Sequence, residues 1–374
     1  MSESGSLEAL AEAYLVVPKV APAACLGLGT RSSSGWKVSI GAAGRLDRGP
    51  SASVTPETLF DLASVTKPIV ATAFARLAAR GAMDPGSELG AHLPEARGTP
   101  SERVPLELLL CHRAGLDAHR ALFEPLFSGA PFERSRALRT ACSARRPECS
   151  GAPSEAGFPP VYSDLGYLLL GESMSRSSGL ALDELVLREV GEPLALAIGS
   201  ARQWLAREVG FMARVAPTEI VVARGGPLRG VVHDENAWAI AGHGIAGHAG
   251  LFGSAEGVVR FGCAVLGALG GTEGWLSAAE LAPLVRARPG GTLRAGFDGV
   301  SASGSSAGTR QGPRAFGHLG FTGTSLWCDP DADLVSVILT NRVHPSRDHL
   351  AIRAARPPLQ DALFALGTAD STLT

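Results

Sequence analysis

Strand patterns at both ends of a helical middle predict an α/β lobe with a second, helical lobe inserted into it. Three observations carry that expectation. "ACLGLGTR" and "GWKVSIGAAGR" read as two strands around an "SSSG" turn. "FTGTSLWCDPDADLVSVILTNRV" reads as a β-hairpin across "DPDAD". Between them, residues 81 to 200 are mostly helical in pattern. One domain over 1–374 follows, with the α/β lobe at about 1–75 and 255–374 and the helical lobe with its cleft loops at about 76–254.

In chain order, "SLEALAEAYL" is the first predicted helix. After the two strands, Ser64 to Arg80 is helical in pattern, and Gly81 is its stop. "PLELLLCH", "FERSRALRTACSAR", "DLGYLLLGESMSRSSG" and "ALDELVLREVG" continue the helical signal. Residues 225–253 are rich in Gly and His with little periodicity, which predicts an ordered loop. "SAEGVVRFGCAVLGAL" resumes as a helix, with Ser254 as N-cap and Glu256 in its first turn. "RDHLAIRAARPPLQDALFAL" closes the chain in helical pattern interrupted at Pro357–Pro358.

Composition excludes several classes of function. The 374 residues are 45% hydrophobic and 19% charged, and the formal charge is −2, so the chain can bury a sizeable core. It offers no basic footprint for nucleic acid and no polybasic membrane patch. The start, "MSESGSLEALAEAYLVV", is acidic before it is apolar, the reverse of a secretory signal. Asn236–Ala255 carries no charge, but its glycines and histidines make a poor membrane span. The expectation is a soluble, cytoplasmic protein whose partner is a small-molecule substrate, with neither cofactor nor metal. Six cysteines lack CxxC or CxxH spacing and read as core residues; Cys142 and Cys149 bracket a polar loop and are candidates to pair.

Only three of the 34 basic residues are lysines, and one of them, Lys67, stands three residues after Ser64 in "SVTKP". Residues i and i+3 share a helix face, and Pro68 disfavours α geometry at Lys67, so the pair is expected in an irregular opening turn. A lysine whose pKa is lowered by burial or by a neighbouring positive charge can accept a serine proton. Arginine cannot. Further along, "PVYSDLGYLLLGE" sets Tyr162, Ser163 and Asp164 at a helix start, "LLLCHRAGLD" sets His112 at a helix end, and "HLGFTGTSLW" sets His318 and Gly320 in a strand-like context.

These motifs resemble the serine β-lactamase and penicillin-binding-protein superfamily, in its class C branch with the related esterases and D-amino-acid peptidases. The family's S-x-x-K matches Ser64–Lys67, its Y-x-N matches Tyr162–Asp164, and its K-T-G matches His318–Gly320. "LLCHRAGL", "GHAGLFGSAEG" and "VVHDENA" resemble further family segments, with order and spacing agreeing from about 20 to 365. The resemblance implies an antiparallel sheet flanked by helices and an acyl-enzyme mechanism. In that mechanism Ser64 is the nucleophile, Lys67 and Tyr162 handle the proton, and the N–H groups of Ser64 and Phe321 form the oxyanion hole.

Four positions depart from the family pattern. Asp164 stands for the amide Asn. His318 stands for Lys and weakens the charge that would hold a substrate carboxylate. Arg113 and Ala114 replace the small hydroxyl pair after the family's His. These departures favour an ester, an amide or a D-amino-acid peptide over efficient β-lactam hydrolysis. The alternatives are a weak β-lactamase or DD-peptidase, and a catalytically silent binding module of the same fold. His248 is expected either to contact substrate or to be a hydrogen-bonded loop residue, and His112 to pack beneath the site. "GSSAG", which would nominate Ser306, lacks the strand and helix that a nucleophile elbow needs. A zinc site from His233, Asp234, His243 and His248 lacks ligand spacing.

Overall fold

Alternation along the first strand places two different layers against the two faces of one sheet. The computed structural model describes residues 2–47, 51–271 and 274–369. Its main sheet is antiparallel throughout, in the order Gly35–Gly44, Ala23–Ser32, Leu334–Thr340, Ser325–Asp329, Phe316–Leu319, Asp298–Gly299. Leu26, Leu28 and Ile338 point to one face, where Leu7, Leu15, Leu359 and Leu363 of the terminal helices cover them. Cys25, Val335, Val337 and Leu339 point to the other, into the main core with Val259 and Phe261. With both faces buried, the central strands read as apolar runs, and the chain is layered helix, sheet, helix.

The predicted elements appear with informative differences. The first helix, Glu3–Ala11, is capped by Ser2 and runs on as a π-turn to Val16. The "DPDAD" hairpin pairs Asp329 with Leu334, and Ser254 caps the helix Ala255–Leu269 by accepting from the Gly257 N–H at 3.2 Å. The stretch 225–253 is more regular than expected. It holds a short helix, Glu235–Ala241, begun by the Asp234 side chain, and the strand Leu251–Gly253. The C-terminal helix, Ile352–Thr368, passes through Pro357 and Pro358 without a break. Ile352, Leu359, Gln360 and Leu363 form its buried face at helical spacing, and that packing outweighs the two hydrogen bonds the prolines remove. Cys142 and Cys149 are buried free thiols, so the candidate pairing does not occur. "GSSAG" lies in irregular chain, without a strand before it or a helix after it. No described helix is long and apolar enough to cross a membrane.

A second, three-stranded sheet places the site. Leu251–Gly253 is its centre, pairing Phe60–Asp61 on one side and Ile198–Ser200 on the other. The chain leaves Asp61 directly into the turn that carries Ser64.

Candidate active site

The Ser64 turn is held open by a carboxylate. Asp61 Oδ1 accepts the Ala63 N–H at 2.8 Å, while its Oδ2 accepts the His233 N–H at 2.7 Å. Ala63 has φ 46°, a left-handed conformation unusual for a residue with a β-carbon. A 3₁₀ turn, Ala63–Val65, then passes into the helix Thr66–Ala79. This is the irregular opening expected from Pro68, whose missing N–H is no loss in a first helical turn.

Lys67 is fully buried in that first turn. Its Nζ lies 2.9 Å from Ser64 Oγ, 2.6 Å from the Tyr162 hydroxyl, 2.6 Å from Asp164 Oδ1 and 3.3 Å from the His248 carbonyl oxygen. Tyr162 and Asp164 flank Ser163, the N-cap of the helix Asp164–Ser178, whose hydroxyl accepts the Gly166 N–H and donates to the Asp117 carbonyl at 2.6 Å. A carboxylate at 164 also suits the positive end of that helix. His112 adopts φ 59° just past the helix Leu106–Leu110, and its Nδ1 accepts the Ser163 N–H at 3.0 Å. Its ring packs 4.8 Å from Tyr162 and 5.1 Å from Tyr167, beneath the site as expected.

Charge at the site differs from the sequence expectation for Lys67. Burial pushes the lysine pKa down, but Asp164 and Tyr162 together outweigh it, and the net direction is up. Burial likewise raises Asp164, yet Lys67 and His248 bring its carboxyl below the ordinary range. The two shifts agree on a buried ion pair, with the lysine charged at rest. Tyr162 is raised, chiefly by burial. The reason is the residue at 164: an amide there would not hold the proton on Lys67, and a carboxylate does.

His318 sits on the strand Phe316–Leu319 with its ring 5.8 Å from Tyr162. Burial, and then the charge of Lys67, lower its pKa to about 3, so it is neutral at ordinary pH. Its Nδ1 lies 2.7 Å from the Leu319 carbonyl, an acceptor, which puts the proton on Nδ1 and leaves Nε2 with its lone pair. The following turn is tied to the Ser64 turn. Thr322 and Thr324 donate to the carbonyls of Asp61 and Leu62 at 2.8 and 2.9 Å. Gly320 lies so close that an added β-carbon would stand 2.6 Å from the Leu62 carbonyl oxygen. Arg342 donates twice to the Phe321 carbonyl, and its guanidinium lies over the Phe321 ring. The Phe321 N–H meets no backbone acceptor among the described residues.

Of the two expectations for His248, the structure shows the hydrogen-bonded one: its ring is 1% exposed and turned to Asp234, 2.8 Å from Nε2 to Oδ1. Its main-chain carbonyl faces Lys67. Ser64, Tyr162, Asp164, His318, Gly320 and Phe321 line one cavity of about 600 Å³. Sequence reasoning missed Asp61, Thr322 and Thr324. "FTGTS" alternates hydroxyls with small residues, but nothing local says what those hydroxyls reach.

A family profile described as Beta-lactamase matches residues 32–357. An N-acetylmuramyl-L-alanine amidase of Bacillus subtilis (strain 168) is 29% identical over 315 residues, covering 78% of this chain and 70% of the relative. Among solved structures, a class C beta lactamase from Rhodobacter sphaeroides superposes with a TM-score of 0.69 at 19% identity, covering 96% of this chain and 99% of the other. EstCE1, a hydrolase with promiscuous acyltransferase activity, superposes with a TM-score of 0.67 at 22% identity, covering 94% and 97%.

Proposed function

The chain belongs to the beta-lactamase family of serine hydrolases, and from that premise we propose that it cleaves a small ester, amide or D-amino-acid peptide through an acyl-enzyme on Ser64. The observation that carries this reading is the convergence of Ser64 Oγ, the Tyr162 hydroxyl and Asp164 Oδ1 within 2.9 Å of one buried lysine nitrogen. Such a cluster has chemical use in moving a proton off a serine hydroxyl, and its burial is costly without one.

Because Lys67 is charged at rest, it first yields a proton to Asp164 and then takes the one from Ser64 as Oγ bonds to the substrate carbonyl carbon. The oxyanion that forms is met by the N–H groups of Ser64 and Phe321, donors of a kind worth about 3–4 kcal/mol each. As the tetrahedral species collapses, the proton passes from Lys67 by way of Tyr162 to the departing alcohol or amine. Water, giving a proton to the same Tyr162–Lys67 pair, then attacks the acyl carbon; that proton passes on to Ser64 Oγ as its bond to the acyl carbon breaks, and Asp164 returns its proton to Lys67. Amide cleavage is consistent with the name of the Bacillus subtilis relative. Neutral His318 supplies no positive charge beside the nucleophile, which disfavours efficient β-lactam turnover.

The test is covalent. A fluorophosphonate should add one adduct to the intact protein, located on Ser64, and Ser64→Ala should lose both the adduct and turnover of a short-chain phenyl ester. Undiminished turnover in that variant would refute the reading. Rapid cephalosporin hydrolysis would refute the argument from His318.

A further inference from the structure

Alternation along the strand Phe316–Leu319 decides which backbone groups face the cleft. The Gly320 N–H bonds the Thr324 carbonyl at 2.8 Å, so in the antiparallel ladder Gly320, His318 and Phe316 turn their hydrogen-bonding groups toward Ser325–Asp329. Gly317 and Leu319 therefore turn theirs to the opposite edge. There Asp298–Gly299 pairs only with Gly317 and Phe316, and the edge beyond is open. Leu319, Gly320 and Phe321 line the cavity at that edge together with Ser64.

An open strand edge ordinarily offers donors and acceptors in turn, and an extended peptide binds by pairing with both. Here side chains fill the acceptors. Arg342 Nε and Nη2 donate to the Phe321 carbonyl at 2.9 and 2.6 Å, so both lone pairs of that oxygen are used. The guanidinium is anchored in turn. Its Nη1 donates to the carbonyls of Arg347 and His349 at 2.8 and 3.0 Å, and the residue is buried. His318 Nδ1 donates to the Leu319 carbonyl at 2.7 Å and fills one of its two lone pairs. The Phe321 N–H, by contrast, meets no backbone acceptor among the described residues. What this edge shows to the cleft is chiefly donors.

We propose that Arg342 is a specificity-determining residue which, by capping the Phe321 carbonyl, makes the Ser64 cleft select acyl groups that carry no N–H beside the reacting carbonyl. This deepens the hydrolase reading and rests on it. In that reading the oxyanion lies at the Phe321 N–H and the departing atom must reach Tyr162, so the acyl substituent runs along the strand edge on the other side. An acylamino group would bring its N–H to a carbonyl whose lone pairs are taken, and a donor buried without an acceptor is costly. An oxygen or a methylene at the same position meets no such penalty. His318 Nε2 keeps a lone pair, but side chains stand off the plane in which strand edges pair. The favoured acyl donors are therefore of the hydroxy-acid or hydrocarbon class, and N-acylated amino acids are disfavoured.

The experiment compares two esters that differ in one group, 4-nitrophenyl acetoxyacetate and 4-nitrophenyl N-acetylglycinate, in which an oxygen replaces the N–H. The readout is the ratio of their kcat/KM values for 4-nitrophenol release, each corrected for the ester's own hydroxide-catalysed rate. The oxygen ester should be favoured about tenfold or more. Arg342→Met frees the Phe321 carbonyl and should bring the ratio toward one, and Arg342→Lys, with a single donor group, should fall between. A ratio near one in the unaltered protein, or one unmoved in folded Arg342→Met, would overturn the proposal. Should Arg342→Met fail to fold, 4-nitrophenyl N-acetylsarcosinate decides the matter on the unaltered protein. It lacks the N–H and should outrun the glycinate; a slower sarcosinate would mean that bulk sets the ratio and would overturn the role of the capped carbonyl. Binding to Ser64→Ala protein tests the preference without catalysis: acetoxyacetamide should raise the melting temperature more than N-acetylglycinamide, and equal shifts count against it. Ester turnover that survives Ser64→Ala sinks the hydrolase reading instead, and the binding arm still decides the preference.

Discussion

Lys67 Nζ faces four acceptors with three protons, and the identity of residue 164 decides where those protons rest. With Asp164 the buried lysine stays charged, its pKa above the ordinary value. In Asp164→Asn, burial becomes the dominant influence and acts downward, so a larger share of Lys67 is neutral near pH 7. The acidic limb of the kcat/KM profile for a neutral ester should then move to lower pH, by about one unit or more. An unmoved limb would show that the pair does not govern the proton. Lys67→Arg keeps the charge and removes the base, since arginine is not deprotonated in proteins. Acylation by fluorophosphonate should fall by about a thousandfold or more relative to the parent, close to the loss expected for a missing general base and nucleophile activation. Near-parental labelling would mean that another group takes the serine proton.

Between elements, hydroxyl-to-carbonyl bonds hold the two halves of the site together. Thr322 and Thr324 join the turn after Phe316–Leu319 to Asp61 and Leu62, which precede Ser64. Both hydroxyls are buried, so Thr→Val at either position removes a buried hydrogen bond at a cost of about 1 kcal/mol; the Leu62 carbonyl still accepts the Val65 N–H at 3.0 Å in Thr324→Val. Because the lost bond also fixes Phe321 relative to Ser64, Thr322→Val and Thr324→Val should reduce kcat more than they raise KM. Chemical denaturation with ester kinetics checks both effects. A loss of stability with kcat intact would mean that the tether is purely structural. The same scale explains the closing helix, where local rules predict an interruption at Pro357–Pro358. Its buried face against the sheet supplies more than the two missing backbone bonds remove.

Taken whole, the chain buries two neutral histidines beside Lys67, and that ties its stability to pH. His112 and His318 each have a pKa lowered to about 3, mainly by burial, against an ordinary value near 6.5. Between those values the unfolded chain binds more protons than the folded one, so stability is complete above about pH 6.5 and declines as pH falls toward 3. Each histidine contributes a slope of up to about 1.4 kcal/mol per pH unit. Urea unfolding across that window should show the decline, and His318→Gln should flatten it; an equal slope in the variant would remove His318 as its source. The sequence already carried the layered fold, because apolar alternation, turn residues and helix caps are local signals, and it carried Ser64, Lys67, Tyr162 and His318 because their motifs are short and ordered. It did not carry the charge on Lys67, the inward turn of the His248 ring, or the capping of the Phe321 carbonyl by Arg342. Those depend on which groups meet in space, Lys67 with Asp164 across 97 residues and His248 with Asp234 across 14, and such electrostatic partners become neighbours only when the sheet and helices pack.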